Sequence, residues 1–194
     1  MKSIEVPSSI KGLIFDCDGT LVDSMPLHMK AWKHAITQAG AVWDYDFIFS
    51  KKGMPGEEII ELYNHCFDIK LHPLNTVRTK QEYFQTHKKD FLPIRPVVDI
   101  ALRYKEKLPM AVASGSSREN VDIQLEALGI RSFFKAIVTA DDNVKSKPAP
   151  DIFLEAAKRI DISPEYCQVF EDGDLGLEAA KKAGMVVTDV RPFI

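Results

Sequence analysis

The sequence predicts an α/β fold, a Rossmann-like parallel sheet interrupted by a helical cap inserted after its first strand. Three observations predict it. Short apolar runs at residues 13–15, 109–113, 136–139, 167–170 and 185–190 lack the in–out alternation of a half-exposed strand, so they suit a sheet covered on both faces. The last four of these runs alternate with helical stretches, the β-α-β texture of a parallel sheet. The first two are separated by roughly ninety residues, where a parallel crossover needs only a dozen to a few dozen.

Length and composition set the frame. The 194 residues are enough for one large domain or one domain with an insertion. Hydrophobic residues make up 45% and charged residues 27%, ordinary for a soluble globular chain, and the formal net charge is −3. That balance offers no basic face for nucleic acid or an acidic membrane surface. An anionic substrate must therefore be met by a local positive site. No apolar stretch approaches the ~18–20 residues of a membrane span, and no signal-peptide pattern opens the chain. Three cysteines without metal-ligand spacing (Cys17, Cys66, Cys167) argue against a disulfide framework or a zinc centre. The expectation is a cytoplasmic, reduced protein acting as a monomer.

Taken in order, the first run ends abruptly in Asp16-Cys17-Asp18-Gly19-Thr20: two carboxylates, a glycine that lets the backbone turn, and a hydroxyl. Crowded carboxylates repel unless a cation or a shared proton relieves them, and Mg²⁺ takes oxygen ligands of this kind. Cys17 between them reads as a small buried filler pointing away from its neighbours. Asp23-Ser24 and Pro26 suit a helix start, Leu27, Ala31, Ala35 and Ile36 give that helix an apolar side, and Gly40 ends it. Further helices begin at Pro55-Gly56-Glu57-Glu58 and span 76–89. The economical division is an α/β core of residues 1–25 and 94–194 with a helical cap at 26–93. In the core, helices are expected at 96–107, from the Ser117 cap to about 128, at 151–160, and up to Ala183-Gly184.

Only the strand ends carry convergent polar chemistry. The first strand ends in Asp16 and Asp18, the second in Ser114-Gly115, and the fourth in Glu171-Asp172, while Lys147 lies in the loop before the helix between the third and fourth. In a parallel sheet these ends share one edge, where ligands bind. Singly, Ser114 is equally a turn residue, Lys147 a surface lysine, and Glu171-Asp172 a solvated strand exit. Jointly they make a metal-plus-phosphate site. Asp16, Asp18, Glu171 and Asp172 hold Mg²⁺, and Ser114, the backbone N–H groups about Gly115, and Lys147 hold phosphoryl oxygens.

In this order, Asp16-x-Asp18-Gly19-Thr20, Ser114, Lys147-Pro148-Ala149-Pro150-Asp151 and Glu171-Asp172-x-x-x-Gly176-x-x-Ala179-Ala180 resemble the four motifs of the haloacid dehalogenase superfamily, over essentially the whole chain. The resemblance is closest to the subgroup holding β-phosphoglucomutase and the small fructose-1-phosphate/6-phosphogluconate phosphatases, which carry a helical cap after the first motif. It implies that Asp16 is a nucleophile forming an aspartyl-phosphate and Asp18 the general acid and base. Ser114 and Lys147 would bind the phosphoryl group. Asp16, the backbone carbonyl of Asp18, Glu171 and Asp172 would bind Mg²⁺.

In the cap, His28 and Lys80 match subgroup positions, and Lys52 resembles part of the loop that closes over substrate. Trp32 reads as core. Mutases of the subgroup carry an arginine where this chain has Gly56, so the expected activity is a phosphatase of a small sugar phosphate or sugar acid. A β-phosphoglucomutase-like mutase is the second reading. A receiver-type module that accepts phosphate on an aspartate is the third, disfavoured by the acceptor's place on the first strand, by the inserted cap and by the second acid two residues on.

Overall fold

A computed structural model describes residues 4–51, 54, 56–87 and 90–194. The chain divides into two compact units, one formed by Met1–Asp23 with Phe91–Ile194 and the other by Ser24–Asp90. The expected boundaries, 26 and 93, sit slightly late. Ser24 is already the N-cap of the first helix, and Leu92–Pro93 belongs to a short strand of the first unit.

The first unit is built on a five-stranded parallel sheet of β1 (Gly12–Phe15), β4 (Met110–Ala113), β5 (Ala136–Val138), β6 (Cys167–Glu171) and β7 (Val186–Asp189), in the order β5-β4-β1-β6-β7. β1 is central, pairing with β4 on one side and β6 on the other. Successive strands run outward from β1 to β5, then the chain returns to β6 and runs the other way. That reversal opens a crevice at the carboxyl end of β1.

The apolar runs are continuous because both faces are covered. Ile14, Ala111, Ala113, Val138 and Val169 pack with Phe153, Ala156 and Ile160 of α7 (Asp151–Ile160) and with Ala179 and Ala180 of α8 (Asp174–Lys182). Leu13, Phe15, Met110 and Val112, pointing the other way, are fully buried too. Phe15 stacks on Phe170 at 4.7 Å between ring centroids. Two more helices, α5 (Arg95–Tyr104) and α6 (Arg118–Ala127), complete the crossovers, and Ser117 caps α6 by accepting from the Asn120 N–H, as its position predicts.

A two-stranded antiparallel ribbon, β2 (Val22–Asp23) and β3 (Leu92–Pro93), joins the two chain segments that flank the second unit. Two residues per strand are too few to show a period, so the sequence gives no sign of it.

The second unit is helical: α1 (Met25–Gln38), α2 (Tyr45–Ser50), α3 (Gly56–Phe67) and α4 (Pro73–Thr86). Met29, Trp32, Ile36, Ile48, Ile59, Ile60, Tyr63 and Leu71 form its core. The α4 helix starts three residues before the expected 76, because His72 caps it and Pro73 occupies its first turn. Lys52 lies outside the described residues.

The loop from β5 toward Lys147 is fixed by Asp142. One carboxylate oxygen accepts from the Thr139 N–H at 2.8 Å and the other from Arg159 Nη2 at 2.7 Å. Burial pushes the Asp142 carboxyl up, but the hydrogen bonds from Arg159 and Thr139 outweigh it and hold its pKa below 3.8. A depressed carboxyl stabilises the fold above its unfolded pKa, and that contribution is lost as pH falls through the folded value. Asp142→Asn is expected to cost about 1–2 kcal/mol at neutral pH. In urea unfolding the gap between variant and parent should narrow as pH falls below the ordinary carboxylate range and through the lowered Asp142 value.

Candidate active site

The site grows from the turn after β1. Asp16 continues the strand, its N–H donating to the Phe170 carbonyl at 3.0 Å, so its place at the carboxyl end is set by the sheet itself. The N–H groups of Thr20, Leu21 and Val22 then converge on the Cys17 carbonyl, which turns the chain. Gly19 allows this with φ of +86°, and a β-carbon there would strike the Asp172 carboxylate. Thr20, fully buried, donates its hydroxyl to Asp172 Oδ1 at 2.8 Å. The first and last motifs are thereby fastened together.

Lys147 sits between two carboxylates. Its Nζ donates to Asp16 Oδ1 at 2.6 Å and to Glu171 Oε2 at 2.7 Å, and the ammonium lies 5.0 Å from the centre of the Phe153 ring. Burial disfavours its charge, but the Asp16 and Glu171 carboxylates outweigh burial and raise its pKa, so the ammonium stays protonated at any physiological pH. Glu171 Oε1 accepts from the N–H groups of Gly173 at 2.8 Å and Asp172 at 3.2 Å, which shapes the turn into α8. Gly176, in the first turn of α8, is buried against that carboxylate with no room for a β-carbon. The glycine of the fourth motif is a packing requirement.

Asp16, Glu171 and Asp172 each present a ligand atom within 4.8 Å of the others. Burial, then the charge of Glu171, pushes the Asp16 carboxyl well above its ordinary value despite Lys147. Burial and Glu171 also raise Asp172. Three oxygen donors, two of them buried and the nucleophile candidate destabilised as an anion, fit a hard divalent cation that would relieve the repulsion. The Asp18 carboxylate is turned elsewhere and accepts from Ser116 Oγ at 2.6 Å and Gln124 Nε2 at 2.9 Å. At β4, the Ser114 N–H donates to the Val138 carbonyl at 3.0 Å, and the Ser114 hydroxyl accepts from the Ser116 N–H at 3.1 Å, with Gly115 exposed between them.

Cys17 is fully buried, and burial followed by the charges of Asp18 and Asp16 drives its thiol well up, away from nucleophilic chemistry. Its Sγ lies 3.4 Å from Gln124 Oε1. Ser116 and Gln124 were not singled out in the sequence. The available signal was Gln124 itself, a polar residue beside Val121 and Leu125 on the buried side of α6.

Within the helical unit, Lys80 is buried, and its Nζ stands 3.1 Å from His28 Nδ1. An ammonium only donates, so the imidazole nitrogen accepts. The same ammonium lies 4.9 Å from the Phe84 ring centre and 5.7 Å from that of Trp32, while Trp32 belongs to the core. Gly56 opens α3, and a β-carbon there would press on Val77 at 3.0 Å.

Comparison with known proteins gives one family. The model for haloacid dehalogenase-like hydrolases matches residues 13–190. The chain is 38% identical over 180 residues to the fructose-1-phosphate phosphatase YqaB of Escherichia coli, covering 93% of this chain and 96% of YqaB. It is 32% identical to the β-phosphoglucomutase of Bacillus subtilis, over 93% and 83% of the two chains. A solved structure of a CbbY variant from Rhodobacter sphaeroides, in complex with xylulose-(1,5)-bisphosphate, superposes with a TM-score of 0.77 at 28% identity, covering 93% of this chain and 86% of that one. With all four motifs gathered at one end of a parallel sheet, the chain belongs to the haloacid dehalogenase-like hydrolases.

Proposed function

We infer that this protein is a Mg²⁺-dependent phosphatase that hydrolyses a small sugar phosphate, or a phosphorylated sugar acid, through a phosphoryl group carried on Asp16. The observation that carries this reading is the buried cluster of Asp16, Lys147, Glu171 and Asp172 at the end of the central strand. Phosphoryl transfer asks for positioning and neutralisation of charge, which these groups supply. Similarity to YqaB, named a fructose-1-phosphate phosphatase, and to CbbY, crystallised with a sugar bisphosphate, supports the substrate class.

In this reading an Asp16 carboxylate oxygen forms a bond to phosphorus as the ester P–O bond breaks. Asp18 gives its proton to the departing alkoxide. Asp18 then accepts a proton from water, whose oxygen attacks phosphorus, releasing inorganic phosphate and free Asp16. Lys147 holds Asp16 and offsets the approach of two anions, while Ser114 and the N–H groups near Gly115 hold phosphoryl oxygens. Asp16, Glu171, Asp172 and the Asp18 carbonyl are the ligands proposed for Mg²⁺, which would add positive charge at the phosphoryl group. Lys80, with His28 beside it, is the proposed reader of the substrate's polar end, and Lys52 belongs with them by resemblance.

A mutase is the second reading, supported by the identity to β-phosphoglucomutase. Against it stands Gly56, packed under Val77 where the mutases' arginine is expected. The test is a screen of phosphorylated metabolites for phosphate release, with Mg²⁺ and with EDTA. Isomerisation of β-glucose 1-phosphate primed by glucose 1,6-bisphosphate is run alongside. Phosphate release from sugar phosphates, lost in EDTA and restored by Mg²⁺, is expected. Isomerisation outpacing phosphate release would overturn the reading.

A further inference from the structure

We propose that Gln124 is a positioning residue for Asp18, holding the carboxylate of the acid/base in place through a short relay that ends on Cys17. The inference rests on the roles given above to Asp16 and Asp18. Gln124 is fully buried on α6, yet its side chain reaches the turn after β1. Its Nε2 donates to Asp18 Oδ1 at 2.9 Å, and its Oε1 faces Cys17 Sγ at 3.4 Å. Asp18 Oδ1 is the accepting oxygen of this contact, so the amide turns its NH₂ end toward Asp18. A protonated thiol is a donor, so Cys17 fixes the carbonyl end in the same sense. The two contacts therefore agree on one orientation of the amide.

That agreement explains two residues at once. A glutamine among the apolar residues of α6 carries a burial cost that its hydrogen bonds must offset. A cysteine between two aspartates, excluded as a nucleophile by burial, supplies the second of those bonds. On the other carboxylate oxygen, Asp18 Oδ2 accepts from Ser116 Oγ at 2.6 Å. Gln124 is the fully buried one of these two donors, and so the one whose orientation water cannot reset.

The test separates proton donation from general loosening of the site. Fructose 1-phosphate has an alkoxide leaving group that needs a proton, whereas p-nitrophenyl phosphate releases a stable phenolate that does not. Since kcat/KM reports the path up to departure of the leaving group, a misplaced acid lowers it for the sugar phosphate alone. Gln124→Met, close in length and apolar, is expected to lower kcat/KM for fructose 1-phosphate by about tenfold and that for p-nitrophenyl phosphate by about twofold or less. Cys17→Ala should shift the ratio the same way, more weakly. If the methionine variant fails to fold, Gln124→Leu, which likewise removes the donor, should shift the ratio the same way.

Asp18→Asn is measured in parallel and should show the same selectivity with a larger loss. Equal losses on both substrates, or none, in the Gln124 variants overturn the assignment of Gln124. An unchanged ratio in Asp18→Asn as well removes the acid/base reading on which that assignment rests. A selective loss in Asp18→Asn that Gln124→Met lacks overturns the Gln124 assignment alone.

Discussion

Asp16→Asn is expected to reduce phosphate release by about 10⁴-fold or more while leaving the fold intact. Asparagine matches the shape of aspartate, and its carbonyl oxygen can still accept from Lys147, which lies 2.6 Å from Asp16 Oδ1. What is lost is the anionic oxygen that bonds to phosphorus. The native carboxyl is also costly: burial and Glu171 both oppose its charge. Removing that charge should leave Tm unchanged or raise it. Circular dichroism and thermal melting beside the phosphatase assay check both halves. Activity within about tenfold of the parent would mean that Asp16 is not the nucleophile.

Lys147→Met is expected to damage both stability and turnover. The methionine stem retains the packing on Phe153, but the ammonium that bridges Asp16 and Glu171 is gone. Breaking a buried ion pair while leaving its carboxylates in place costs about 3–5 kcal/mol. Phosphate release should fall by roughly 10³-fold, since a charge aimed at the phosphoryl group is lost. Urea unfolding without divalent ions measures the first effect. Mg²⁺ added to the variant should restore more stability than it adds to the parent, because the cation relieves the carboxylates that lysine no longer faces. Equal gains in both proteins would place the metal away from Asp16, Glu171 and Asp172.

How much of this was readable beforehand follows from the physics of each part. A parallel sheet puts every strand's carboxyl end on one edge, so Asp16, Ser114 and Glu171 are adjacent once β1 lies between β4 and β6. Glycine spacing in the fourth motif was equally legible, and the structure gives its cause in the Glu171 carboxylate pressed on Gly176. The β2–β3 ribbon was not legible, because two residues per strand leave no pattern. The start of α4 was misjudged because a histidine cap followed by proline is a weaker signal than the charged run beyond it. Gln124 was missed for a different reason. Its significance lies in a partner 106 residues away, and a lone glutamine in a helix carries no mark of that.

Acid quenching during turnover of the best substrate, followed by peptide mapping, tests most directly whether Asp16 carries the phosphoryl group. A transient phosphoryl adduct on the peptide containing Asp16, absent from Asp16→Asn, is the predicted result. An adduct on any other residue, or turnover with no enzyme-bound phosphate under conditions that trap acyl phosphates, would contradict it.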